Sequence, residues 1–153
     1  MRTPASIAKH PIHPMLVSIP IGLWIFSLVC DIARVAGSAD PAWPTVAFYT
    51  MAGGVVGALL AAVPGLIDLL SLPAGPRKTA LAHMTINLTV VGLYVINLWM
   101  RWSNPSQLEI PFWLSLVAIG LLVISGWLGG KMVYEHGVAV DTEGIAGTGR
   151  TRY

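Results

Sequence analysis

Four histidines, an aspartate and a glutamate are the side chains whose types and positions promise chemistry in this 153-residue chain. His10 and His13 stand at the entry of a first long apolar run, Asp68 near the close of a second, and His83 early in a third. His136 follows a fourth, with Glu135 beside it. Imidazole and carboxylate together suit zinc, copper or non-haem iron, which would make Asp68, His13 and His83 a metal set. Two imidazoles facing each other supply the axial nitrogens of a bis-histidine haem, the reading that adds His10 and His136 as further cofactor-binding candidates. The plainer reading of the same residues is polar capping at a membrane interface, and both stay open. No His-Glu-x-x-His and no Cys-x-x-Cys-His is present, and the single cysteine, Cys30, excludes a multi-cysteine site.

The elements that must position these groups are unusually apolar. Apolar residues make up 55% of the chain and charged residues 10%, with a mean hydropathy of +0.71; a soluble domain carries about a quarter charged residues. Charge-free runs extend from His10 to Cys30, Pro41 to Ile67, Thr79 to Met100 and Ile110 to Gly130. A helix needs about 20 residues to cross a hydrocarbon core of about 30 Å, and each run is that long. The expected fold is all-α: an integral membrane four-helix bundle of two transmembrane hairpins, with helices over about 13–35, 44–72, 78–102 and 111–135. Residues 1–140 would form this domain, and residues 141–153 a flexible tail without periodicity. The first run is longer than a signal-peptide core and is read as a retained helix.

With four spans, Arg2, Lys9, Arg77, Lys78, Lys131, Arg150 and Arg152 share one side, and Arg34 and Arg101 the other. The positive-inside rule then puts both termini, and all four histidines, on the cytoplasmic side. Trp43, Trp99, Trp102 and Trp113, with Phe48, Tyr49 and Phe112, gather at the opposite face as an interfacial aromatic belt. At that face Asp31 and Arg34 are one turn apart and Arg101 ends the third run, which predicts an ion pair at the headgroup level. Basic residues are scattered over helix ends, so no nucleic-acid footprint exists. No nucleophile with its base, no phosphate loop and no carboxylate pair is recognisable, and no enzyme is expected.

Small residues at Gly53, Gly57, Ala61 and Gly65, and at Gly126 and Gly130, predict close helix packing within the chain or, equally, in a homodimer. His83 and Asn87 share a helix face with Tyr94, a stripe expected to look inward. Pro64, inside the second run, should kink it unless that helix ends early. At an offset of 70 the chain matches itself: His13 with His83, Gly22 with Gly92, Leu23 with Leu93, Trp24 with Tyr94, Ser27 with Asn97 and Leu28 with Leu98. A duplicated hairpin about a two-fold axis would produce this, and so would chance similarity between apolar segments.

The opening His10-Pro11-Ile12-His13-Pro14, the Pro64-Gly65-Leu66-Ile67-Asp68 segment, His83 with Asn87, Gly126-Trp127-Leu128-Gly129-Gly130 and Tyr134-Glu135-His136-Gly137-Val138 carry a resemblance. Over about residues 8 to 140 the chain resembles the bacterial predicted-membrane-protein family catalogued as domain of unknown function 2231. The resemblance implies four helices in the bacterial inner membrane and no established activity. Some relatives carry a Rieske iron-sulfur domain, which implies a place near electron transfer and a redox partner of that kind for this shorter chain.

Overall fold

Long stretches without charge, Gly-poor ends or breaking loops leave the backbone one way to satisfy its polar groups in hydrocarbon, which is to close them within helices. The computed structural model describes residues 3–140 and contains four such helices: α1 (Ile12–Val35), α2 (Ala42–Ser71), α3 (Ala74–Ser103) and α4 (Glu109–His136). All four are long and apolar enough to cross a membrane, and together they make an all-α bundle. The expected boundaries are extended by one to four residues at most ends, because prolines begin helices as readily as they end them. Pro76 occupies the first turn of α3, where its missing N–H is not needed. Pro64 does not end α2, which continues through it to Ser71. The expected tail, residues 141–153, and the basic residues Arg2, Arg150 and Arg152 lie outside the described residues.

Ahead of α1 is a minimal antiparallel hairpin, β1 (Ser6–Ile7) and β2 (His10–Pro11), with Ile7 opposite His10. Its two-residue turn puts Ala8 and Lys9 at positive φ, the backbone that matches strand twist in tight hairpins. Non-glycine residues adopt it reluctantly, so the hairpin depends on its anchors. These are the Ile12 N–H on the Ala5 carbonyl and the Ala5 N–H on Asp68 Oδ1 at 2.9 Å.

Helix α1 packs mainly on α2 and α3 mainly on α4, while α2 meets α3 and α1 meets α4 more lightly. That ring puts α1 and α3 on one diagonal. Buried positions follow a four-three spacing, at Pro20, Trp24, Ser27 and Asp31 on α1, and at Val90, Tyr94, Asn97 and Arg101 on α3. Such spacing is the seam of a helix bundle. Ala47, Met51, Gly54 and Ala61 line α2, and Pro111, Ser115, Ala118 and Ser125 line α4. The outward faces carry Ile25, Phe26, Leu60, Val63, Val95, Val123 and other exposed apolar side chains, a surface that only lipid would solvate.

The duplication is written into the hydrogen bonds. Ser27 Oγ donates to the Ala47 carbonyl at 2.9 Å, and Asn97 Nδ2 donates to the Pro111 carbonyl at 2.8 Å. His13 Nδ1 bonds the Ala61 carbonyl at 2.8 Å, and His83 Nδ1 bonds the Ser125 carbonyl at 2.9 Å. In both cases the donor shifts by 70 residues and the acceptor by 64. Residues equivalent at the offset of 70 also meet each other. Trp24 stacks on Tyr94 with ring centres 4.3 Å apart and planes 12° from parallel, and Asp31 pairs with Arg101. Self-contact between equivalent positions is what a two-fold axis between α1 and α3 produces.

Candidate functional site

The axis has a polar pair at each end. At the end where α1 begins and α4 finishes, His13 and His83 approach with ring centres 6.3 Å apart and planes at 88°. Each ring lies against a glycine of its own hairpin partner. A Cβ at Gly65 would come within 2.7 Å of His13 Nδ1, so only glycine leaves room for that ring, and a Cβ at Gly129 would stand 3.5 Å from His83 Cε1. The bonded carbonyls at Ala61 and Ser125 lie one turn before these glycines. A carbonyl only accepts, so both Nδ1 atoms carry the proton and both Nε2 atoms present a lone pair.

The two imidazoles differ in what occupies that lone pair. His83 Nε2 accepts from Asn87 Nδ2 at 3.0 Å, and Ser125 Oγ closes the circuit by donating to Asn87 Oδ1 at 2.8 Å. The expected inward stripe of His83, Asn87 and Tyr94 is therefore real, and Asn87 does bond across to α4. Among the described residues His13 Nε2 has no such partner.

The other candidate ligands are elsewhere. His10 sits in the N-terminal hairpin with Nδ1 on the Ala8 carbonyl at 2.9 Å, exposed. His136 is the last residue of α4, one position before Gly137, whose left-handed backbone stops the helix. Asp68 is buried with Oδ1 holding the Ala5 N–H, so its carboxylate anchors the hairpin. Among the described residues no three His, Cys, Asp or Glu side chains are grouped to hold a metal ion. The convergence expected of Asp68, His13, His83 and His136 is not found, because helix geometry aims them at different neighbours. What the fold brings together is the pair His13 and His83.

At the opposite end the pair is Asp31 and Arg101. Arg101 Nη1 and Nη2 reach Asp31 Oδ1 and Oδ2 at 2.9 and 2.5 Å, a two-pronged ion pair, and Nε donates to Asn97 Oδ1 at 2.8 Å. Asn97 in turn donates to Ser115 Oγ at 3.0 Å, tying α1, α3 and α4 together. Asp31 is fully buried and Arg101 nearly so. Of the Asp31, Arg34 and Arg101 set expected to form an ion pair at headgroup level, Asp31 and Arg101 form it across the axis and inside the bundle, and Arg34 is left at the rim. Residues 31 and 101 are also 70 apart, a signal in the sequence that could have pointed to this pair.

Of the expected packing glycines, Gly53 faces Leu23 and Gly57 faces Pro20, with a Cβ at 3.2 and 3.3 Å, and Gly65 faces His13. Gly126 and Gly130 have open space where a Cβ would stand, so among the described residues they pack closely against nothing. The tightest approach is one the pattern of every fourth residue passes over: a Cβ at Gly54 would fall on the Trp24 indole, whose Nε1 donates to the Met51 carbonyl at 3.2 Å.

A family model described as predicted membrane protein, DUF2231, matches residues 9–142. The chain belongs to that family. The DUF2231 match spans the bundle from before His10 to beyond His136, and so includes both axial pairs and the duplicated hairpin. No curated protein and no solved structure matches the chain.

Proposed function

We propose that this chain is a multi-pass protein of the bacterial inner membrane, with both termini cytoplasmic, that holds a haem iron or a redox-active metal ion between His13 and His83 and serves electron transfer. The observation that carries the reading is the apposition of two imidazoles, each with Nδ1 fixed by a backbone carbonyl. A metal-ligating histidine characteristically donates its other ring nitrogen in this way, which fixes ring orientation and raises ligand basicity. The donor chemistry suits such a group: the two imidazoles lie with ring centres 6.3 Å apart, and imidazole nitrogen would hold a haem iron or a borderline transition-metal ion. His83 must first release the bond from Asn87. A group held there would supply one-electron chemistry, and a Rieske-type protein is the class of partner that would exchange those electrons. Seven basic residues on one side against two on the other support the orientation.

The test is purification from membranes with absorption spectra of the oxidised and dithionite-reduced protein and elemental analysis. A Soret band or a stoichiometric metal, lost in His13→Ala and in His83→Ala, is the expected outcome. A colourless protein without metal sinks the reading. One observation favours a second reading, a non-catalytic scaffold or subunit: every polar atom of His83 is already satisfied inside the protein, as a purely structural histidine would be. Gly126 and Gly130 on α4 would then serve a homodimer or a larger complex. In that case replacing the histidines leaves metal content at background, while bulky residues at Gly126 break the assembly.

A further inference from the structure

At the end of the bundle bearing the Asp31–Arg101 pair, a cleft of about 500 Å³ opens between the end of α1, the start of α2 and the end of α3. Its polar lining is Arg34, Arg101 and Thr45, and its apolar wall includes Pro44, Phe48 and Trp102. No acidic side chain lines it. We propose that this cleft binds the phosphate of an anionic membrane phospholipid, with the acyl chains lying along the aromatic wall. The proposal is independent of any metal at the histidines.

Three features carry it. First, Arg34 has no hydrogen bond or ion pair from its side chain among the described residues, although it is half-buried and one turn from Asp31. A guanidinium left unpaired beside a cleft at the edge of hydrocarbon needs an anion, and Asp31 is already committed to Arg101. Second, Arg101 spends three of its five N–H groups on Asp31 and Asn97, which leaves two donors for a ligand. Its charge is balanced by Asp31, so the uncompensated charge at the cleft is that of Arg34. Asp40, the nearby carboxylate before α2, caps the Ala42 N–H and does not line the cleft. Third, the walls are mostly apolar, and Tyr49 and Trp102 project from the bundle with 69% and 76% of their surfaces exposed. Aromatic rings in that position sit at headgroup level. A soluble anion would gain nothing from such walls, whereas a phospholipid matches both the cation and the apolar surface.

Titrating dioleoyl phosphatidylglycerol or dioleoyl phosphatidylcholine into the detergent-purified protein, with bound lipid counted by native mass spectrometry, tests the site. One arginine at a membrane surface contributes about 1 kcal/mol toward anionic lipid, so wild type should favour phosphatidylglycerol about fivefold. Arg34→Gln should bring the two lipids to parity and Arg34→Lys should keep the preference. Arg34 is half-exposed and makes no internal bond, so neither variant removes a contact that folding needs. Equal binding of the two lipids by wild type, or an undiminished preference in Arg34→Gln, overturns the proposal. Inorganic phosphate competing as well as the lipid would make the occupant a soluble anion, and overturns it too.

Discussion

The two ends of the bundle axis solve one problem differently. A duplicated hairpin brings equivalent positions face to face, so a charged residue at such a position would meet its own copy. At one end the equivalent positions carry opposite charges, Asp31 and Arg101, and the two-pronged ion pair between them is buried. At the other end the copies have remained identical, His13 and His83, half-buried and bonded to backbone on one nitrogen each. Two buried charges of one sign would repel at a low dielectric, whereas two neutral imidazoles do not. The charged end therefore had to become asymmetric to be stable, and the neutral end was free to keep a symmetric donor pair. The first end carries a completed ion pair, and the second leaves His13 Nε2 without a partner among the described residues.

The largest effect should come from breaking the charged end. Asp31→Ala leaves Arg101 buried without its counter-charge, at a cost of about 3–5 kcal/mol, a large share of the stability of any domain. Size-exclusion profiles in detergent should show loss of the monodisperse protein. Asp31→Leu combined with Arg101→Met should recover most of it, because replacing both charges by apolar side chains removes the desolvation penalty.

An intermediate effect is expected where the hairpins are tightest. Gly54→Val drives side-chain atoms into the Trp24 indole and should cost about 1–3 kcal/mol by overpacking. Thermal melting followed by tryptophan fluorescence reads both the loss and the displaced indole. Gly126→Val, with open space around it, should melt like wild type and serves as the comparison.

The smallest effect on folding belongs to the neutral end. His13→Ala removes one interhelical hydrogen bond, worth roughly 0.6–2 kcal/mol in a membrane protein, and should leave the melting temperature within a few degrees of wild type. A collapse as severe as that of Asp31→Ala would show that the two ends carry equal structural weight.

The fold was legible because lipid imposes a coarse rule: about 20 residues without charge are needed per crossing, and Asp, Glu, Lys and Arg mark the ends of each run. The offset of 70 was legible for the same reason that it is structural, since the matched residues, His13 and His83, Trp24 and Tyr94, Ser27 and Asn97, face the shared axis where substitution is most constrained by packing. The direction of each side chain was harder to read. Gly129 and Gly130 are the same residue one position apart, yet a 100° turn of the helix puts only Gly129 against His83. Asp31 with Arg34 looks like a local pair from spacing, but the fork geometry and Asn97 reward a partner that is remote in sequence. Asp68 carries a carboxylate suited to metal, and only the placement of the N-terminal hairpin reveals that a backbone N–H already claims it.

Every axial pair takes one member from each hairpin, and this has a consequence for synthesis. Chains emerge N-terminus first, so α1 and α2 reach the bilayer while Arg101 is still unmade. Until α3 arrives, Asp31 faces hydrocarbon alone, at a cost of about 3 kcal/mol, and the first hairpin is a marked intermediate. A chain that ends before α3 leaves that acidic side chain without its counter-charge, whereas one that has delivered Arg101 buries it, so a single ion pair reports whether the second hairpin has joined the first.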